Sequence, residues 1–392
     1  MRAASWFPVL AAALVLGGCG SEDGAPSRPV PPPVAGLSPQ RVLATPTLRR
    51  TTVAAGFDRP SALVREPGRD GRVLVLEQRG TARWLGASGP APGPPFLDLR
   101  GTISTTDEQG LLGLAFVAGP GGAGTDRVVV HANDRDGSTV VTRYAVRDDR
   151  VDVASAEPLL RVEQPYANHN GGELVVGPDR RLYLGLGDGG SAFDPRQKAQ
   201  DRESQLGKIL RTDPTAARPR WEQAAIGVRN PWRLHFDDTG ALWVADAGRD
   251  SAEAQTEEIN RIPAADLRRT QRPVNLGWSA YEGTRDQTNR RLAGDAGPLL
   301  WPVASYSQRD GCNAVGGMVL RGDRVPVLRD RYLFGDACSG LVWSIPADAD
   351  PGVEVRREGV LVPELTAFVR DARGRLLASG LDGRIHRLVD AR

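Results

Sequence analysis

Residues 177–188 read GPDRRLYLGLGD, a charged Gly-Pro-Asp turn running into a short stretch of apolar residues and glycine. The same scheme returns as GRDGRVLVLEQ at 68–78, GTDRVVVHAND at 124–134, DDTGALWVADAG at 237–248 and ARGRLLASGLDG at 372–383. LRDRYLFGDACSG at 328–340 is a sixth, similar copy. A turn followed by four or five apolar residues reads as a short strand. With 46 Gly and 30 Pro and few helical stripes, the chain reads as all-β. The strand starts, Val73, Val128, Leu182, Leu242, Tyr332 and Leu376, lie roughly 45 to 60 residues apart except for one gap of about 90, which is blade spacing.

Six units predict a six-bladed β-propeller over residues 47–392. The long gap places an insertion of loops around residues 252–300. Ring closure predicts that the last strand, residues 384–388, pairs with an N-terminal strand near residues 51–53, since an unpaired edge invites association. A β-sandwich, or two, is the rival fold, and it does not account for the recurring scheme.

The N-terminus sets the expected compartment. Residues 1–19 carry one arginine, an apolar run from Trp6 to Leu16, and Leu16-Gly17-Gly18-Cys19. That run is too short to span a bilayer and matches the apolar region of a signal peptide. Small residues before a cysteine predict a lipoprotein signal, with Cys19 lipidated and the body exported, held outside the cytoplasmic membrane or in the cell envelope through the lipid alone. An ordinary signal peptide cut near Gly20 is the alternative. Residues 20–46, with Pro31-Pro32-Pro33, read as an extended tether with too little apolar surface to fold.

Cys312 and Cys338 remain, and an even remainder in an exported protein predicts a disulfide. Neither has the CxxC or nearby histidine of a zinc site. A net charge of +2 without a basic run excludes nucleic acid as an expected partner.

The candidate chemistry lies in NHNGGELVVGPDRRLYLGLGDGG at 168–190. If the turn at 177–180 folds its flanking strands into a hairpin, His169 and Asp188 meet at the open end. An imidazole beside a carboxylate is a general base held in one tautomer. His169 is one of four histidines and sits among Asn and Gly, where bare backbone lets a ligand approach. His131, His235 and His386 fall in strand-like patterns and read as structural. Asp188, Asp194 and Asp201 are a weaker candidate calcium set, with solvated turns as the plainer reading.

Several stretches together resemble the glucose/sorbosone dehydrogenase family: EQGLLGLAF at 108–116, NHNGG at 168–172, LGKILRTD at 206–213, GVRNPWRLHFD at 227–237, EEIN at 257–260 and NLGWSAYEG at 275–283. The resemblance implies an exported six-bladed propeller that uses pyrroloquinoline quinone and calcium to oxidise a sugar at its anomeric carbon and passes the electrons to an external acceptor. It implies that His169 is the base and Asp188 its orienting partner. It also implies that Arg229 and Asn230 touch quinone and substrate, with Glu108 adding a polar contact. Calcium is expected on backbone carbonyls near Gly248 and Arg249, where this chain reads Ala247-Gly248-Arg249-Asp250 in place of the family's Gly-Pro stretch. Arg309 and Arg321 are candidates for a further cationic clamp. GCNAVGGMVLRG at 311–322 and FGDACSGLVWSI at 334–345 are closest to the hedgehog-interacting-protein-like branch, some of whose propellers bind proteins. Two outcomes therefore stand beside each other, a sugar dehydrogenase and a non-catalytic binding propeller. A calcium-dependent lactonase would need a ring of acidic side chains that the sequence does not assemble.

Overall fold

The computed structural model describes residues 46–391, apart from residues 69–70, 120–124, 250–255, 270, 288 and 323, together with Pro29. The expected signal peptide with Cys19 and nearly all of the tether lie outside the described residues.

Six antiparallel sheets make a six-bladed β-propeller. The first blade runs Pro60–Arg65, Val73–Glu77, Thr81–Trp84 and Leu97–Asp98, and the second runs Leu111–Val117, Arg127–Asn133, Thr139–Arg147 and Arg150–Val162. The third runs Leu174–Val176, Leu182–Leu186, Lys208–Thr212 and Glu222–Ile226; the fourth runs Pro231–Phe236, Leu242–Asp246, Thr256–Ile262 and Ala304–Ser307. Ala314–Leu320, Arg331–Asp336, Leu341–Pro346 and Arg356–Leu361 form the fifth. The sixth takes Leu365–Arg370, Leu376–Gly380 and Ile385–Asp390 from the end of the chain and Leu48–Ala54 from its beginning. That last pairing sets Thr51 opposite Arg387 and closes the ring as expected. Each blade's first strand touches the first strand of the next blade, so these six strands surround the axis.

All six repeated stretches fall on the second strand of a blade. Successive side chains of a strand point to opposite faces. In Val73–Glu77, Leu74 and Leu76 enter the cluster shared with the second blade, while Val73 and Val75 enter the cluster shared with the sixth. Both faces are buried, so the second strand is apolar at consecutive positions. The six core clusters found among the described residues each fill one gap between neighbouring blades.

The insertion separates the third and fourth strands of the fourth blade. It carries a short helix, Ala264–Leu267, and a small hairpin, Tyr281–Glu282 with Arg285–Asp286. It also adds Val274–Asn275 in parallel to the outer strand of the third blade. Through that pairing the segment 275–283 reaches the end of the propeller where the first strands begin.

Candidate active site

The loops that enter the first strands of the second, third and fourth blades converge at one mouth of the ring. Leu174–Val176 and Leu182–Leu186 form the expected hairpin, with Leu174 opposite Leu184. Its open end brings Nδ1 of His169 to 2.7 Å from Oδ1 of Asp188. Both residues are almost wholly buried, at 2% and 3% exposure.

His169 has φ of 57°, an uncommon conformation for a residue with a side chain. Neighbouring groups hold it there. Its N–H donates to Glu108 Oε2 at 2.8 Å, and Glu108 also accepts from Asn230 Nδ2 at 3.0 Å. Asn230 Oδ1 accepts the N–H of Gly171, and Asn170 is tied to Asn133 and to the carbonyl of Ala167. The glycines of the two motifs allow the close approach: a Cβ on Gly187 would stand 2.1 Å from the His169 carbonyl oxygen, and one on Gly171 would stand 2.1 Å from that of Gly185.

Asp188 is fixed on both oxygens. Oδ1 accepts the Gly190 N–H at 3.0 Å as well as facing His169, and Oδ2 accepts from Nε1 of Trp278 at 2.8 Å. With Nδ1 committed to the carboxylate, Nε2 of His169 has no partner among the described residues. This is the arrangement of a base with one nitrogen oriented and the other available.

Arg229 and Asn230 are set by Asp246, whose carboxylate accepts both of their backbone N–H groups at 2.6 to 3.1 Å. Nη1 of Arg229 donates to the Ala247 carbonyl at 2.9 Å, whereas its buried Nε has no partner among the described residues. A charged donor with unused capacity fits a carboxylate-bearing ligand such as the expected quinone. Beside it, a cavity is lined by Arg229, Asp246, Ala247, Gly248, Thr256, Glu258, Trp278 and Glu282. Burial pushes Asp246 up to about 6 and Glu258 up to about 8. Buried carboxylates next to backbone carbonyls are the oxygen-rich surroundings that suit calcium. Arg249, expected to offer only its carbonyl, also pairs its guanidinium with Glu282 at 2.8 Å. Asp250 lies outside the described residues.

Cys312 and Cys338 form the predicted disulfide, with Cα atoms 5.7 Å apart. The only cluster of metal-type ligands among the described residues is Cys312, Asp336 and Cys338, and its two sulfurs are taken by that bond. Arg321 is corrected: it follows the end of the strand Ala314–Leu320 that is opposite the mouth, and pairs there with Asp238 and Asp330. Arg309 lies in the turn before that strand, on the mouth side. The acids Asp194 and Asp201 act as loop caps. Asp194 accepts the N–H groups of Lys198 and Ala199, and Asp201 pairs with Lys198. The buried Lys208 ammonium donates to three carbonyls beside them, supplying a cation from the chain itself.

Trp278 and Asp246, which hydrogen-bond to Asp188 and to Arg229 and Asn230, are residues of the candidate site that sequence reasoning did not single out. The tryptophan stands in the quoted stretch NLGWSAYEG, but it reads there as an ordinary core aromatic.

The chain is similar to known proteins in three ways. The Arabidopsis thaliana HIPL1 protein is 26% identical over 279 residues, covering 59% of this chain and 37% of the relative. Hedgehog-interacting protein of Mus musculus is 27% identical over 307 residues, covering 72% and 42%. The chain thus spans about two fifths of the length of these curated relatives. Among solved structures, the PQQ-bound aldose sugar dehydrogenase of Streptomyces coelicolor superposes with a TM-score of 0.65 at 23% identity, over 88% of this chain and 99% of that one, a likeness of fold. The sequence profile described as Glucose / Sorbosone dehydrogenase matches residues 57–392, and the chain belongs to that family.

Proposed function

We propose that this chain is an exported sugar dehydrogenase that oxidises an aldose at its anomeric carbon to the lactone. The observation that carries the reading is the His169–Asp188 pair, bonded at 2.7 Å with the second imidazole nitrogen free of partners among the described residues. Pyrroloquinoline quinone, bound with calcium, would accept the hydride and hand its electrons to an external acceptor. Neutral His169 takes the proton of the sugar hydroxyl at Nε2. Asp188 keeps the proton of Nδ1 directed at itself and stabilises the imidazolium that forms. Arg229, with its unpartnered Nε, would hold a carboxylate of the cofactor, and the carbonyls near Gly248 and Arg249 would hold the calcium. Cys19 would anchor the domain to the membrane by its lipid.

A second reading, a binding propeller without redox activity, draws support from the likeness to Hedgehog-interacting protein. One experiment separates them. Calcium and pyrroloquinoline quinone are added to the purified protein, and dye reduction is followed with a panel of aldoses. Turnover supports the dehydrogenase; no quinone binding and no turnover on any sugar overturns it in favour of the binder.

A further inference from the structure

One carboxylate at the mouth is left with an oxygen to spare. Asp188, Asp246, Glu258 and Glu282 each spend both oxygens on donors within the chain. Glu108 does not. Its Oε2 takes the His169 N–H at 2.8 Å and Asn230 Nδ2 at 3.0 Å, while Oε1 has no partner among the described residues. The residue is half-buried and Oε1 is not sealed from solvent, so a ligand can reach it.

What the first oxygen holds fixes the place of the second. Glu108 stands in the loop that enters the first strand of the second blade, His169 in the loop that enters that of the third, and Asn230 directly before that of the fourth. Two donors from two other blades grip Oε2, which leaves the carboxylate little freedom to turn. Its bond to the His169 N–H keeps Glu108 within one side-chain length of Nε2, where the anomeric hydroxyl would give up its proton. A substrate group that reaches Oε1 is therefore a near neighbour of the reacting carbon. In an aldose that neighbour is the substituent on carbon 2.

Charge decides what the substituent is. No arginine or lysine pairs with Glu108 among the described residues, and Arg229 turns its Nη1 to the Ala247 carbonyl instead. His169 must be neutral to act as a base, so it supplies no standing counter-charge. Burial raises the Glu108 carboxyl above its ordinary 4.5, and the contacts to His169 and Asn230 offset that only in part. A carboxylate in this condition gains more from a cationic donor than from a neutral hydroxyl.

We infer that Glu108 selects its ligand by charge, so that the substrate class is an aldose with an ammonium group on carbon 2, held through Oε1 beside His169. This inference rests on the sugar-oxidising reading of the same site. No bond changes at Glu108 itself; hydride and proton leave carbon 1 and its hydroxyl as in the proposed reaction.

The test has two arms. Binding of glucosamine, N-acetylglucosamine and glucose is measured at neutral pH on the quinone-free protein by titration calorimetry, and kcat/KM for the same sugars is measured after loading with quinone and calcium. Glucosamine should bind and react better than glucose by about tenfold or more, the scale of one charge-assisted hydrogen bond. N-acetylglucosamine, which keeps the nitrogen and loses the charge, should not share the advantage. Glu108→Gln retains a carbonyl oxygen for His169 and Asn230 and sets an amide NH2 where Oε1 stood, so it should abolish the preference. Wild-type protein that binds glucosamine no better than glucose overturns the inference. So does a preference that survives in Glu108→Gln, and if quinone affinity falls in that variant the carboxylate belongs to the cofactor. Glucosamine binding that depends on Glu108, without oxidation of any sugar, retains the charge selection and rejects the dehydrogenase. Oxidation of glucose and glucosamine alike, with equal binding, does the reverse.

Discussion

Nε1 of Trp278 donates to Oδ2 of Asp188 across 90 residues of chain, while the other oxygen of that carboxylate faces His169. The insertion in the fourth blade therefore completes a pair that the third blade begins. A carboxylate at 3% exposure needs both of its oxygens satisfied.

Trp278→Phe removes the donor and keeps the bulk. Oδ2 of Asp188 is then buried without that partner, which costs about 1–3 kcal/mol. Urea unfolding should show this loss, and turnover should fall with it because Asp188 is free to rotate away from His169. Unchanged stability together with unchanged turnover would mean that the indole contact is incidental.

His169→Ala removes the proposed base, and turnover should drop by about a hundredfold or more while quinone affinity, measured by titration, is retained. Asp188→Asn should be milder than His169→Ala, since it disturbs orientation and leaves the base in place. The mechanism fails if an active wild-type enzyme loses little turnover in His169→Ala.

The ease of finding this pair, and the difficulty of finding its tryptophan, have one cause. His169 and Asp188 lie at the ends of a single hairpin, so local turn chemistry sets their meeting. Trp278 arrives through a parallel pairing of Val274–Asn275 with another blade, a contact no local pattern encodes. The second strands were legible because neighbouring blades bury both faces. The outer strands were not: Leu97–Asp98 has two residues, and Arg150–Val162 is largely exposed, so neither carries an apolar run.

The disulfide can be judged against Asp336, whose carboxylate accepts the N–H groups of Cys312, Asn313, Cys338 and Ser339 at 2.8 to 2.9 Å. These bonds hold the same two loops that the sulfurs join. Replacing both cysteines by serine should lower stability by about 3 kcal/mol through the unfolded chain. Quinone and sugar affinity should not change, because Asp336 keeps the loops in place. A free thiol content of two in natively purified protein would contradict the bond, and lost affinity in the double variant would contradict the role given to Asp336.

Glu258 offers the sharpest test of the cavity beside Arg229. Its carboxylate accepts the Gly283 N–H and the Asn260 side-chain amide, yet burial raises it from the ordinary 4.5 to about 8. Between those values the folded protein holds the proton and the unfolded chain has lost it, so this group's contribution to stability falls as pH rises from about 4.5 to about 8. Below that window both states are protonated, and above it neither is. Glu258→Gln imitates the protonated form: its carbonyl oxygen serves Gly283, and its amide hydrogens meet Asn260 Oδ1 if that side chain turns over, an atom now buried without a partner among the described residues. Without calcium, the variant should match wild type near pH 4.5 and exceed it by about 1–3 kcal/mol at pH 8. Calcium should stabilise wild type more at pH 8 than at pH 5.5, since the ion favours the ionised carboxylate, and the glutamine variant should lose much of that gain. Unfolding curves at several pH values, with and without calcium, supply both readouts. Parallel pH profiles for the two proteins would show that Glu258 is not a strained acid, and an equal calcium response would place the ion away from this cavity.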